Sequence, residues 1–200
     1  MNVQKRIVVG VSGASSVTLA LQVLKALKEF PKVETHLVMT HGAVRALQME
    51  SGLAADAFFQ KADVVHESDE LGASIASGSF RTAGMIVVPC SMKTVAGIAS
   101  GFSDNLLLRA ADVTIKEQRP LILAPREAPL SPIHLENLLK LSRIPGVKIV
   151  PPLVNNYQRV GSVSELERQI ALKLVGYLGF DSDELIRWNP ETVMNFVSMG

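Results

Sequence analysis

The residues best equipped for chemistry in this chain lie just beyond runs of Val, Ile and Leu. Ile7-Val8-Val9-Gly10-Val11 is followed by Ser12-Gly13-Ala14-Ser15-Ser16. Small residues there let the backbone approach a ligand, and the helix that follows offers unpaired N–H groups to an anion. The same stretch also reads as a tight turn with an ordinary serine cap. Its spacing is neither that of a nucleophile elbow nor that of a G-x-G-x-x-G turn. Met85–Pro89 leads into Cys90-Ser91-Met92-Lys93-Thr94, which puts two hydroxyls and a charge at a second helix start. Cys90 reads as a small buried residue more readily than as a nucleophile, because no histidine is near it in sequence. Leu121–Ala124 leads into Pro125-Arg126-Glu127-Ala128-Pro129, a loop stiffened by its prolines. An exposed Arg–Glu pair adds little stability, whereas an arginine fixed at a strand tip can grip a phosphate with two N–H groups. Ser131-Pro132-Ile133-His134 opens another helix with a serine cap and a proline at its first position. His134 in that first turn reads as a packing residue before an acid or base. Asn155-Asn156-Tyr157 places one of only two tyrosines after the last apolar run.

These loops need elements that bring them to one edge. The continuous apolar runs at 7–11, 36–39, 85–89, 121–125 and 147–150 are those of strands buried on both faces. Helical spacing fills the intervals at 17–30, 42–49, 93–99, 104–116, 131–143 and 162–178. Residues 53–80 are less periodic, with a short strand at Val64-Val65-His66 and a short helix over 71–76. The β-α repeat with right-handed crossovers predicts a flavodoxin-like or Rossmann-like α/β fold: an open, mostly parallel sheet with helices on both faces. Ligands in such sheets bind beyond the carboxyl ends of the strands, where all the loops above fall. One domain is expected over 1–180, with 181–200 as a polar C-terminal arm carrying Trp188 and reaching toward a neighbouring subunit.

Bulk properties narrow the class. The chain has 200 residues, 48% hydrophobic and only 5% aromatic, which favours a helix-covered parallel sheet over an aromatic-rich sandwich. Twenty basic and 19 acidic residues leave a net charge of +1 with no basic block, so nothing suggests nucleic-acid binding. One cysteine excludes an internal disulfide and a cysteine zinc cage. The apolar run after Lys5-Arg6 is too short for a secretory core or a membrane span, so a cytoplasmic location is expected.

Taken together, several stretches resemble the UbiX-type flavin prenyltransferases, long described as small flavoprotein subunits associated with aromatic-acid decarboxylases. They are Ser12-Gly13-Ala14-Ser15, Pro89-Cys90-Ser91-Met92-Lys93-Thr94, Asp104-Asn105-Leu106 with Arg109-Ala110-Ala111-Asp112-Val113, Lys116-Glu117, Pro125-Arg126-Glu127 and Ile133-His134-Leu135-Glu136-Asn137. The resemblance runs from residue 5 to Trp188. It implies a homododecamer that binds FMN without a metal. It also implies transfer of a dimethylallyl group from dimethylallyl monophosphate to N5 and then C6 of the reduced flavin. The prenylated FMN so formed would serve a UbiD-type decarboxylase.

Carried over by position, the resemblance implies that Gly13, Ala14, Ser15, Thr40, Ser91, Met92, Lys93, Thr94 and Arg126 bind the flavin. Lys116, Arg126, Glu127, Tyr157 and Lys173 fall at positions that hold the prenyl phosphate, and Ser15, Glu50, Glu127 and Tyr157 at catalytic ones. Ser16 departs from the pattern, standing where glycine is usual. Asn155-Asn156 replaces a more apolar approach to Tyr157. The alternatives are an FMN carrier and a flavin-dependent decarboxylase that transfers no prenyl group.

Overall fold

The computed structural model describes residues 4–190. Six strands form one sheet: β1 Lys5–Val11, β2 Val33–Met39, β3 Val64–His66, β4 Gly84–Cys90, β5 Leu121–Pro125 and β6 Val147–Ile149. Their order is β3-β2-β1-β4-β5-β6, and every neighbouring pair is parallel. This is the doubly wound, Rossmann-type order, in which the direction of winding reverses between β1 and β4. Among the described residues seven α-helices accompany them, six between strands and the last after β6: α1 Thr18–Lys28, α2 His41–Ser51, α3 Asp56–Phe59, α4 Met92–Ser100, α5 Leu106–Lys116, α6 Pro132–Ser142 and α7 Val163–Gly176. The short strand expected at 64–66 is present as β3. The short helix expected over 71–76 contracts to a 3₁₀ turn, Ser74–Ala76, and α3 had no sequence signal. Residues 1–3 of the expected domain and 191–200 of the expected arm lie outside the described residues.

Strand residues alternate between two cores, as their period of two requires. Ile7, Val9, Val11, Ile86, Val88 and Ile122 face α1 and α7. Val8, Met85, Val87, Leu121 and Leu123 face α4 and α5. Burial on both faces is why these strands read as continuous apolar runs. Helix α6 is different: it buries Leu141 but leaves Ile133, Leu135 and Leu139 exposed. His134 is the third residue of α6 and closes its capping box. Its backbone N–H donates to Ser131 Oγ at 3.2 Å, and its Nδ1 accepts the Ser131 N–H at 3.3 Å.

One buried polar group lies away from the strand tips. His36 on β2 sits 2.8 Å from Glu34 Oε1 through Nε2, and 3.0 Å from His66 Nε2 through Nδ1. Glu34 also accepts from Arg6 Nε at 3.0 Å, and Phe80 packs edge-on against the His36 ring. A carboxylate only accepts, so His36 Nε2 carries a hydrogen toward Glu34. Burial, and secondarily the facing His36, push His66 below the ordinary imidazole range, with Glu70 opposing. The unfolded chain therefore takes up a proton near pH 6.5 that the folded chain resists, and stability falls as pH drops below about that value. His66→Phe is expected to flatten this loss between pH 7.5 and 5.5, read from urea midpoints. An unchanged profile would remove the pair from the acid response.

Candidate functional site

The end of β1 is tied to the end of β4 by a buried hydroxyl. Ser12 Oγ donates to the Pro89 carbonyl at 3.0 Å and accepts the Ser91 N–H at 2.7 Å, while the Ser12 N–H donates to the same carbonyl at 3.2 Å. Proline has no N–H to give, so a side chain completes the ladder at the point where the winding reverses. Ser12→Ala leaves the Ser91 N–H without its partner, and is expected to cost about 1–3 kcal/mol. Thermal unfolding should fall by roughly 2–4 °C for each kcal/mol. An unchanged midpoint would show that water replaces the hydroxyl.

Beyond this tie the chain turns sharply. A Cβ on Gly13 would lie 2.8 Å from the Gly42 carbonyl carbon, so the first turn and the start of α2 are in direct backbone contact. Ser16 has φ +73°, the left-handed region that glycine enters without strain, which accounts physically for the glycine expected there. Its N–H donates to Glu50 Oε2 at 3.0 Å. Helix α2 thus touches the same turn from both ends, through Gly42 and through Glu50. It lies across the carboxyl edge of the sheet.

A cavity of about 350 Å³ opens at this edge. Of the residues expected at a flavin site, Gly13, Thr40, Ser91, Lys93 and Thr94 line it. Three helices begin on its wall. Thr40 caps α2 by accepting the Ala43 N–H, Ser91 caps α4 by accepting the Thr94 N–H, and Asn105 caps α5 by accepting the Leu108 N–H. The first N–H groups of each helix have no acceptor within it, and the three positive dipole ends converge with the Lys93 ammonium. That arrangement holds an anion, and its volume suits a nucleotide-sized ligand.

Residues without an assigned role complete the wall: His41, Gly42, Ser68, Asp69, Asp104, Asn105 and Leu108. His41 Nε2 lies 2.9 Å from Asp69 Oδ2. The Ser68 carbonyl accepts the Leu106 N–H at 2.7 Å, which fixes the start of α5 against the exit of β3. A firm reading of β3 was the missing signal. Once that strand is accepted, Ser68 and Asp69 are the residues that follow its carboxyl end.

The other expected residues are placed as follows. Ala14 and Ser15 continue the first turn, and Met92 is the buried first residue of α4. Arg126 and Glu127 are exposed in the loop after β5, which is held beside the second loop by the Arg126 N–H donating to the Cys90 carbonyl at 3.2 Å. They form no ion pair with each other; Glu127 Oε1 accepts the Ala128 N–H instead. Tyr157 lies in a separate 3₁₀ turn, Asn156–Gln158, with its ring edge-on to Trp188 at 5.6 Å. Lys116 is the last residue of α5, ion-paired with Glu117, about 15 Å of helix from the end that lines the cavity. Lys173 is exposed in the last turn of α7. Both lysines lie toward the amino edge of the sheet, so one protomer does not bring them to the cavity. Cys90 is fully buried and its thiol is pushed far above the ordinary range by desolvation, which makes it inert.

Among the described residues no group of three His, Cys, Asp or Glu side chains is placed to hold a metal ion. No helix among them is long and apolar enough to cross a membrane.

Fold and site together define a nucleotide-phosphate-binding protein of the doubly wound α/β class. Comparison with known proteins narrows this. The flavoprotein family model matches residues 1–170. Flavin prenyltransferase LpdB of Lactiplantibacillus plantarum is 47% identical over 187 residues, covering 94% of this chain and all of that protein. The crystal structure of the dodecameric FMN-dependent UbiX-like decarboxylase from Escherichia coli O157:H7 superposes with a TM-score of 0.89. It is 44% identical and covers 92% of this chain and 99% of that one. The structure of AnUbiX (PadA1) in complex with FMN and dimethylallyl pyrophosphate also gives 0.89. Its identity is 44%, over 93% of this chain and 98% of that one. The chain belongs to the flavoprotein family and, within it, to the UbiX-like flavin prenyltransferases.

Proposed function

We propose that this chain transfers a dimethylallyl group from dimethylallyl monophosphate to N5 and then C6 of reduced FMN, in the cytoplasm. The prenylated flavin is then taken up by a UbiD-type decarboxylase. The observation that carries the reading is the convergence of three helix N-termini with Lys93 on one cavity. It occurs in a chain whose structural relative AnUbiX was solved with FMN and dimethylallyl pyrophosphate.

Gly13, Ala14, Ser15 and Thr40 bind the flavin from one side of the crevice, and Ser91, Met92, Lys93, Thr94 and Arg126 from the other. Bound in reduced form, the flavin supplies the nucleophilic nitrogen and carbon. An allylic monophosphate leaves only if the charge it carries away is matched. Arg126, Lys116, Lys173 and the Tyr157 hydroxyl are assigned that role. Glu127 gives a proton to the departing phosphate, and Glu50, beside the Ser15-Ser16 turn, accepts the proton released at carbon. The lysines at the amino edge reach a cavity only across a protomer boundary, so the clamp closes between subunits. The dodecameric E. coli relative and the exposed Ile133, Leu135 and Leu139 on α6 support such an assembly.

The test is anaerobic incubation with reduced FMN and dimethylallyl monophosphate, with the pyrophosphate as a parallel arm, followed by mass spectrometry of the flavin. A gain of one prenyl unit is expected with the monophosphate. Tightly bound but unmodified flavin would replace this reading with that of a carrier. Decarboxylation of a supplied acid by the chain alone would favour the decarboxylase alternative. Restoration of activity to a cofactor-free UbiD-type enzyme tests the partner.

A further inference from the structure

After α7 the chain doubles back along that helix, and the stretch from Asp181 to Trp188 is held by side chains. The Gln169 carboxamide bonds it twice: Oε1 accepts the Ile186 N–H at 2.8 Å, and Nε2 donates to the Glu184 carbonyl at 3.0 Å. Gln158, the residue after Tyr157, donates from Nε2 to the Ile186 carbonyl at 3.3 Å. Arg168 bridges Glu184 at 2.9 Å to Glu29, the C-cap of α1, at 2.6 Å. A glutamine that offers both its donor and its acceptor to a passing backbone acts like one rung of a sheet ladder, and it fixes register as well as contact. Two residues beyond that rung, Trp188 meets the ring of Tyr157 edge-on.

Gln158 is joined to the same set of bonds, its Nε2 lying 3.5 Å from Gln169 Oε1. It is 5% exposed, and its Oε1 is the buried side-chain atom without a hydrogen-bond partner among the described residues. Its donor side faces both the Ile186 carbonyl and Gln169 Oε1, so Gln158 braces the arm together with the glutamine that holds it.

We propose that Gln169, aided by Gln158, is a positioning residue: it sets the register of the C-terminal arm so that Trp188 stands against Tyr157 of the same protomer. The proposal rests on the reading above that Tyr157 contacts the prenyl phosphate. Gln169 and Gln158 touch neither the flavin cavity nor its helix caps. They act on the prenyl donor through the Tyr157–Trp188 pair.

Trp188 is the chain's only tryptophan, so its emission reports the arm directly. In the FMN-loaded protein, Gln169→Met keeps length and removes both bonds. It is expected to red-shift that emission and raise iodide quenching about twofold, as a locally released segment does. The KM for dimethylallyl monophosphate should rise about tenfold, the equivalent of two modest hydrogen bonds. FMN affinity should stay within about twofold, since neither Gln169 nor Gln158 lines the flavin cavity. Gln169→Glu keeps the acceptor for the Ile186 N–H and should fall between the two. Unchanged quenching in a folded Gln169→Met protein would overturn the proposal, as would raised quenching with an unchanged KM. A wild-type protein that returned unmodified flavin would defeat the transferase reading instead, and quenching would still decide whether Gln169 holds the arm.

Discussion

Gly13→Val is expected to lose FMN binding by at least about a hundredfold, the largest effect of any substitution at the cavity. A Cβ at this position would lie 2.8, 3.0 and 3.1 Å from the carbonyl carbon, oxygen and Cα of Gly42. All three are backbone atoms, so no flexible side chain can give way. Either the first turn or the start of α2 must move, and both form the wall on which the anion is held. Overpacking of this kind costs about 1–3 kcal/mol. The melting point should fall by roughly 2–4 °C for each kcal/mol. The reverse contact is looser: a Cβ on Gly42 would meet Gly13 Cα at 3.6 Å, so Gly42→Ala should fold normally. Gly72→Ala, with nothing within 4 Å, is the neutral control. Quenching of flavin fluorescence on titration measures the affinity. Wild-type affinity in Gly13→Val would show that the turn is not part of the flavin site.

The second large effect separates structure from chemistry at Glu50. In Glu50→Gln the side-chain oxygen can still accept the Ser16 N–H, the bond that is 3.0 Å long in the native chain. The turn should survive and FMN should bind within about twofold of wild type, because a neutral acceptor replaces a charged one at an exposed site. What disappears is a base. Loss of a positioned proton acceptor lowers turnover by about 10²–10⁴-fold. Glu50→Ala removes the bond as well, and should weaken FMN binding several-fold in addition to the lost turnover. Single-turnover mass spectrometry of the flavin gives the rate, and equilibrium titration gives the affinity. Normal turnover in Glu50→Gln would leave this carboxylate with only its structural bond to the turn.

The two substitutions differ in how visible their positions are in sequence. Gly13 follows a strand directly, and the rule that ligands gather at strand ends points to it without further help. Glu50 closes a helix, 34 residues beyond Ser16, and reads by itself as an exposed terminal carboxylate. Only the path of α2 across the sheet edge makes it a neighbour of the turn. His134 shows the opposite case. Its place beside a serine cap and a first-turn proline suggested packing before chemistry, and its ring closes the capping box of α6.

The sequence alone determined the elements with strong local causes. Continuous apolar runs ended by turns or prolines defined five strands, because burial on both faces leaves no polar position to blur the signal. Caps at Ser91 and Ser131 marked helix starts, since each side chain satisfies a nearby N–H. Tertiary structure alone decided what depends on long-range placement. It brought Ser68 and Asp69 to the cavity through a three-residue strand too short to carry a pattern of its own. Within one protomer it also set Lys116 and Lys173 toward the amino edge of the sheet, away from the loops at its carboxyl edge. A helix antiparallel to its strand carries its two ends to opposite edges of the sheet. No local pattern records which edge faces a neighbour.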